Sequence, residues 1–329
     1  MAKGSSNPRS LDAALRAVAD MRLLPAGDLA PSLRPHLGST SNLVVTKAAD
    51  LAREKGLADL APDLAAAFWR FMADPSKTDR GCVAKEAIGL ALYELGPAGE
   101  DVEKVLLAGI RHFQREGSYG PPVDTAVGLR GWCAMGLVRI GRRFVHEELA
   151  DLLADPEAQA RMMAARAIAY AGHDAGVPLL RLKARAGDAE PGVTAEVLSA
   201  LARLAPGRSV DVLRDCLRDS DDTVASAAAL ALGETRRPEA LEALCDCWRA
   251  MMDPNTRANL ALPIALTRLP AGVEFLVEGL AAVPESVAVE VVRALKMYRG
   301  DAGVKERVGR AVEARKSERL SREFETAFS

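Results

Sequence analysis

The stretch "SDDTVASAAALALGETRRPEALEAL", Ser220–Leu244, decides the fold. From Val224, small or apolar residues fall at offsets of four, five, seven and eight, at Ala228, Ala229, Ala231 and Leu232. With 3.6 residues per turn, those offsets make one stripe of an α-helix. "RRP" ends that helix, and "EALEALCDCW" begins a second amphipathic one with Pro238 in its first turn. Small residues on the first helix let neighbours approach closely, and leucines on the second fill the groove between them.

The same register recurs along the chain. Its leading residues are Val44, Val83, Leu129, Ala160, Val193, Val224, Thr256 and Val287, with a weaker first copy at Leu11. That makes nine copies with a usual spacing near 31 residues. No single helix pair of this size buries its apolar face, so stacking must supply a shared core. Pro263 occupies the seven-offset of the Thr256 copy and should bend or shorten that helix. No segment sustains the alternation of a strand. The expected fold is therefore all-α: one continuous right-handed solenoid over residues 1–316, built of about nine helical hairpins. Residues 1–41 form an N-terminal cap with the weak first repeat, and 317–329 a C-terminal tail. The charge-dense run Lys305–Glu325 reads as a final capping helix with a polar outer face.

The quoted core, "DDTVASAAALALG", resembles the HEAT repeat, in the short form also found in phycobilin lyases. "ARMMAARAIA" and "LRGWCAMGLVRIG" share the pattern, with Arg161 and Arg130 directly after the leading residue. The resemblance spans about Val44 to Arg315. It implies an α-α superhelix, in which a basic residue at that position commonly pairs with an acidic one along the stack. Here Val45, Ala84, Thr194, Ala225 and Ala288 stand there instead, so the ladder is incomplete.

HEAT-like enzymes supply tests of function. Deoxyhypusine hydroxylases use several His-Glu pairs to hold two irons; only His146-Glu147 matches, and one pair builds no such site. Cys245 and Cys247, two apart on a helix, diverge by about 200° and do not chelate together. No metal and no cofactor is implied. HEAT-like DNA glycosylases need a basic face; Arg111, His112, Arg115, Arg130, Arg139, Arg142, Arg143 and His146 make the middle of the chain its most basic zone, diluted by Glu116, Glu147 and Glu148. A nucleic-acid partner and a bilin or other small ligand stay as alternatives. A net charge of −2 excludes a globally basic surface. No stretch approaches the roughly 20 apolar residues of a membrane span. Five cysteines in no CxxC pair, without a secretory segment, fit a reducing cytoplasm. The Ala, Arg and Gly bias is that of a GC-rich bacterial gene.

One interval breaks the period: Val83 to Leu129 is 46 residues. The excess places an inserted loop at 114–124, kept non-helical by Gly117, Gly120, Pro121 and Pro122. Loops at repeat joints often carry binding. Trp132 sits three after its leader, where Lys47, Glu86, Glu196, Asn259 and Glu290 mark a solvent-facing position. Either the loop folds over Trp132 through Tyr119 or Pro121, or Trp132 is an aromatic anchor flanked by Arg130 and Asp124. The expected function is a non-enzymatic, monomeric scaffold that binds a protein or peptide. Its groove would be lined by second helices, and its contact residues would be Trp132, Arg130, Tyr119, His112, Asp124 and Arg115.

Overall fold

The computed structural model describes residues 8–96, 99–117 and 120–329, and its contacts group the chain into two compact units, Met1–Ala171 and Gly172–Ser329. The first unit holds α1 (Pro8–Asp20), α2 (Ala26–Leu37), α3 (Asn42–Glu54), α4 (Ala61–Met72), α5 (Pro75–Thr78), α6 (Val83–Leu95), α7 (Glu100–Ile110), α8 (Val127–Arg139), α9 (Val145–Leu153) and α10 (Ala158–Ala171). Helices α1, α3, α6, α8 and α10 pack in succession as a layer of first helices; α2, α4, α7 and α9 return between them.

The second unit holds α11 (Val177–Ala186), α12 (Pro191–Leu204), α13 (Pro206–Cys216), α14 (Asp222–Thr235), α15 (Pro238–Ala250), α16 (Pro254–Ala258), α17 (Ala261–Leu266), α18 (Pro270–Gly279), α19 (Glu285–Leu295), α20 (Ala302–Arg315) and α21 (Glu318–Phe328). Its first-helix layer runs α12, α14, α17, α19, α21.

The boundaries follow from local chemistry. Asp221 caps α14 by accepting from the backbone N–H of Thr223 and Val224, and Arg236 ends it in the left-handed region at φ 53°. Pro238 then starts α15 without a donor to leave unpaired. The stripe read from Val224 is the buried one: Ala228 and Leu232 have no exposed surface. Side-chain size is fixed as tightly where α7 meets α8. A Cβ on Gly136 would stand 2.8 Å from Leu106, so a methyl group there forces repacking.

As the position of Pro263 implies, the Thr256 copy is shortened: it breaks into α16 and α17 at Asn259–Leu260, because the Pro263 ring opposes the carbonyl four residues earlier, that of Asn259. The structure differs from the sequence reading in three places. The inserted loop contains a short antiparallel hairpin, β1 (Arg115–Glu116) and β2 (Val123–Asp124), where no strand was expected. The run Lys305–Glu325 is two helices, broken at Lys316 with φ 50°. The expected tail from 317 is mostly α21, with Leu320, Ala327 and Phe328 buried and packed on α19. Among the described residues, no helix is long and apolar enough to cross a membrane.

Candidate functional site

The connection between α7 and α8 is wired into the interior from both ends. Arg130, on the first turn of α8, is wholly buried. Its guanidinium makes a two-pronged bond to Asp155, at 2.7 and 3.0 Å. It also reaches Asp124 of β2 at 2.6 Å, donates to the His112 carbonyl at 3.0 Å, and lies 4.1 Å over the Phe113 ring. Burial pushes the Asp124 carboxyl up, but backbone N–H groups of Ala126 and Gln114, with Arg130, outweigh it and hold it below the ordinary carboxylate range. A buried charge is tolerated only when paired and hydrogen-bonded, and both conditions are met here.

The hairpin grips the preceding joint as well. Gln114, 2% exposed, donates to the Asp79 carbonyl at 2.8 Å and to Glu116. Glu116 accepts from the Gly81 backbone at 2.9 Å. Asp79 in turn accepts from the backbone N–H of Ala84 and Lys85 and from the Lys85 ammonium, each at 3.0 Å. Lys85 and Asp79 have no exposed side-chain surface. Nothing in the register marks Lys85, two residues after its leader, as a buried cation.

These bonds correct the surface role expected of three residues. Arg130 and Asp124 face inward, because leaving either charge unpaired inside costs more than exposure on a hot spot would gain. His112 is half-buried, its ring nitrogen 3.2 Å from Gln114, and burial holds its pKa down. Arg115 is exposed on β1. Tyr119 lies outside the described residues.

The basic zone is largely paired internally. Arg111 bonds Glu148, and Arg142 bonds Glu103 at 3.2 Å. Arg143 lies 4.7 Å over the Phe144 ring. Cys133 is fully buried and its thiol is pushed up by desolvation; the Cys82 thiol is pushed up to about 12 for the same reason. Neither is a poised nucleophile.

Trp132 has a cover that comes from the neighbouring helix rather than from the insert. Its ring stacks on Tyr93 of α6, with centroids 5.9 Å apart and planes 20° from parallel. Its indole N–H donates to the carboxylate of Glu86, also on α6, whose pKa burial raises. Gly128 makes room for that carboxylate, since a Cβ there would collide with Glu86 Oε1. Tyr170 of α10 meets Tyr93 edge-on at 6.3 Å and is 50% exposed. Arg139 of α8 lies 5.8 Å over the Tyr93 ring and makes no ion pair among the described residues. Three successive first helices thus bring Tyr93, Trp132 and Tyr170 to one face. Position three after a leader does face outward, as the register implies; nothing in the register marks position ten of the preceding copy, Tyr93, as lying against it.

In the second unit, the second helices carry an exposed ion-pair ladder. Arg181 holds Asp211 at 2.9 and 2.6 Å, and Arg185 reaches Asp211 and Asp215 at 3.4 and 3.5 Å. The Arg181 hydrogen bond holds the Asp211 carboxyl down to about 2.

Residues 180–264, which run from within α11 into α17, match the family model of HEAT repeats. This segment is a run of HEAT repeats. Its helix-pair units and all-α composition agree with that assignment. No curated protein matches the sequence. Among solved structures, the HEAT-repeat chain is similar to the complex of CpcE and CpcF of phycocyanin lyase from Nostoc sp., at 16% identity and TM-score 0.40, covering 75% of this chain and 92% of that one. It is also similar to an engineered protein, at 20% identity and TM-score 0.38, covering 98% and 95%. A third is human deoxyhypusine hydroxylase in complex with glycerol, at 17% identity and TM-score 0.32, covering 89% and 97%. At these values the likenesses add nothing on ligand or reaction.

Proposed function

We propose that this HEAT-repeat chain is a non-enzymatic scaffold or adaptor that binds a protein or peptide through the Trp132 face. The observation that supports the reading is the meeting of Tyr93, Trp132 and Tyr170 at the surface beside an unpaired Arg139, in a chain only 4% aromatic. Trp, Tyr and Arg dominate interface energetics: the two aromatic rings remove much area from water with few rotatable bonds to fix, and the Arg guanidinium adds directional hydrogen bonds and stacking. The stack and the Glu86 bond hold the Trp132 ring before any partner arrives, which lowers the entropy of association. Arg139 adds selectivity for a partner that brings a carboxylate beside its apolar residues. The chain acts as a monomer without a cofactor, in a reducing compartment that keeps its five cysteines as thiols.

The test is photo-crosslinking in the native host with benzoylphenylalanine placed at Tyr170. A discrete partner band is expected, reduced about tenfold or more by Trp132→Ala with Arg139→Glu. An undiminished band from the double variant sinks the reading, as does the absence of any band that exceeds a control probe at Asp20.

A further inference from the structure

We propose that a trough in the second unit, between α13, α15 and α16, binds an extended Lys- or Arg-rich peptide segment. This site does not rest on the Trp132 face. Three concavities of about 460, 270 and 490 Å³ adjoin one another. The first and second share Leu217 and Cys247, and the first and third share Asp215. The break at Asn259 shapes the second, at one end of the row, since Asn255, Thr256 and Asn259 of the interrupted helix form its wall.

Two features of the lining fix the occupant together. The floor is apolar: Leu217 and Cys247 are each 5% exposed, and Met251 is half-buried beside them. The walls are acidic, with carboxylates outnumbering guanidiniums by more than two to one. Asp222 and Glu242 have no cation partner among the described residues. Asp188, Asp215 and Asp246 are paired with Lys183, Arg185 and Arg249, whereas Asp219, Asp221 and Asp253 accept only backbone or hydroxyl hydrogen bonds and keep their charge. Acidity alone would attract any cation. An apolar floor beneath acidic walls selects a cation on a long aliphatic stem, whose methylenes cover Leu217 and Met251 while its head reaches Asp222 or Glu242. Lys and Arg are the side chains built that way. The sharing of lining residues between concavities favours several such side chains on one extended segment over a single small ligand.

The test is fluorescence anisotropy with a labelled decapeptide alternating Arg and Leu, against a Glu–Leu peptide of equal length, on the full chain. The Arg peptide is expected to bind, and binding should weaken as NaCl rises from 50 to about 500 mM. Asp222→Lys with Glu242→Lys should weaken it about tenfold, with circular dichroism unchanged because both residues are exposed. The matched reversal Glu100→Lys with Asp101→Lys on α7 should leave it as it was, and so should Trp132→Ala. Four results overturn the proposal: no Arg-peptide binding, equal weakening by both reversals, equal binding of the Glu peptide, or competition by millimolar Ca²⁺ alone.

Discussion

The joints of the two units use charge in opposite ways. In the first, Lys85 and Arg130 lie at the start of first helices, wholly buried, and tie each joint to carboxylates at the helix entries. In the second, Thr194, Ala225 and Ala288 stand directly after three leaders, and Arg257 after the fourth donates to the Met251 carbonyl rather than to a carboxylate. The helix-to-helix ion pairs there, Arg181–Asp211 and Arg293–Glu323, lie near the surface. Buried pairs punish the loss of one partner severely, whereas exposed pairs are screened and weak. The repeat architecture therefore does not need the buried ladder. The first unit uses it where an insertion interrupts the stack, and there it fixes where the hairpin sits.

The sharpest way to break this comparison is Arg130→Ala. It leaves Asp124 and Asp155 buried without their cation and should cost about 3–5 kcal/mol in urea unfolding. A loss below about 1 kcal/mol would mean the network is ornamental. A smaller effect is expected from Gly128→Ala, which displaces the Glu86 carboxylate and unseats Trp132: the net cost should be about 1 kcal/mol, since the carboxylate is the movable end of its side chain and alanine favours the helix, with a changed near-ultraviolet dichroism. Glu86 also gives a pH test. Its folded pKa is raised by burial, so ionising it disfavours the fold: stability from this group is greatest below the ordinary carboxylate pKa and falls as pH rises through the raised value. Glu86→Gln should flatten that fall in thermal melts just above the carboxylate range, while still accepting the indole N–H. The smallest effect belongs to the exposed ladder. Arg181→Ala should cost less than about 1 kcal/mol. Asp211, depressed to about 2, adds stability that is present above the ordinary carboxylate range and lost as pH falls through 2; with its side chain 54% exposed, that contribution is small.

The helices were legible because Ala and Leu at offsets of four, five, seven and eight leave one geometry that buries them all. Arg130 was misread because a charged residue beside a leader looks like surface. The corrective signal was present: Asp79 and Lys85, Asp124 and Arg130, and Asp155 and Arg161 are each six residues apart, a carboxylate at the helix entry and a cation one turn in. Strands of two residues carry no periodicity, so the hairpin left no trace beyond its glycines and prolines. The cover of Trp132 was invisible for another reason. Tyr93 is its neighbour across the stack, 39 positions back, and pattern along one helix does not report contacts between helices. The helix α21 was masked by charge density, although Leu320, Phe324, Ala327 and Phe328 repeat the same offsets.

The way the insert is fastened has a consequence for how it can change. Gln114 and Asp124 pinch its base: the Gln114 N–H donates to Asp124 Oδ1 at 3.1 Å, and the Thr125 N–H donates to the Gln114 carbonyl at 2.9 Å. Everything that holds the hairpin among the described residues lies at or below the next rung, where Glu116 pairs with Val123 and accepts from the Gly81 N–H. Residues between 117 and 122 can then be lengthened or replaced at little more than the slow logarithmic entropy of a longer loop. Over generations this joint is a place where new sequence can be tried without disturbing the stack, and at the bench it is a natural socket for a grafted epitope.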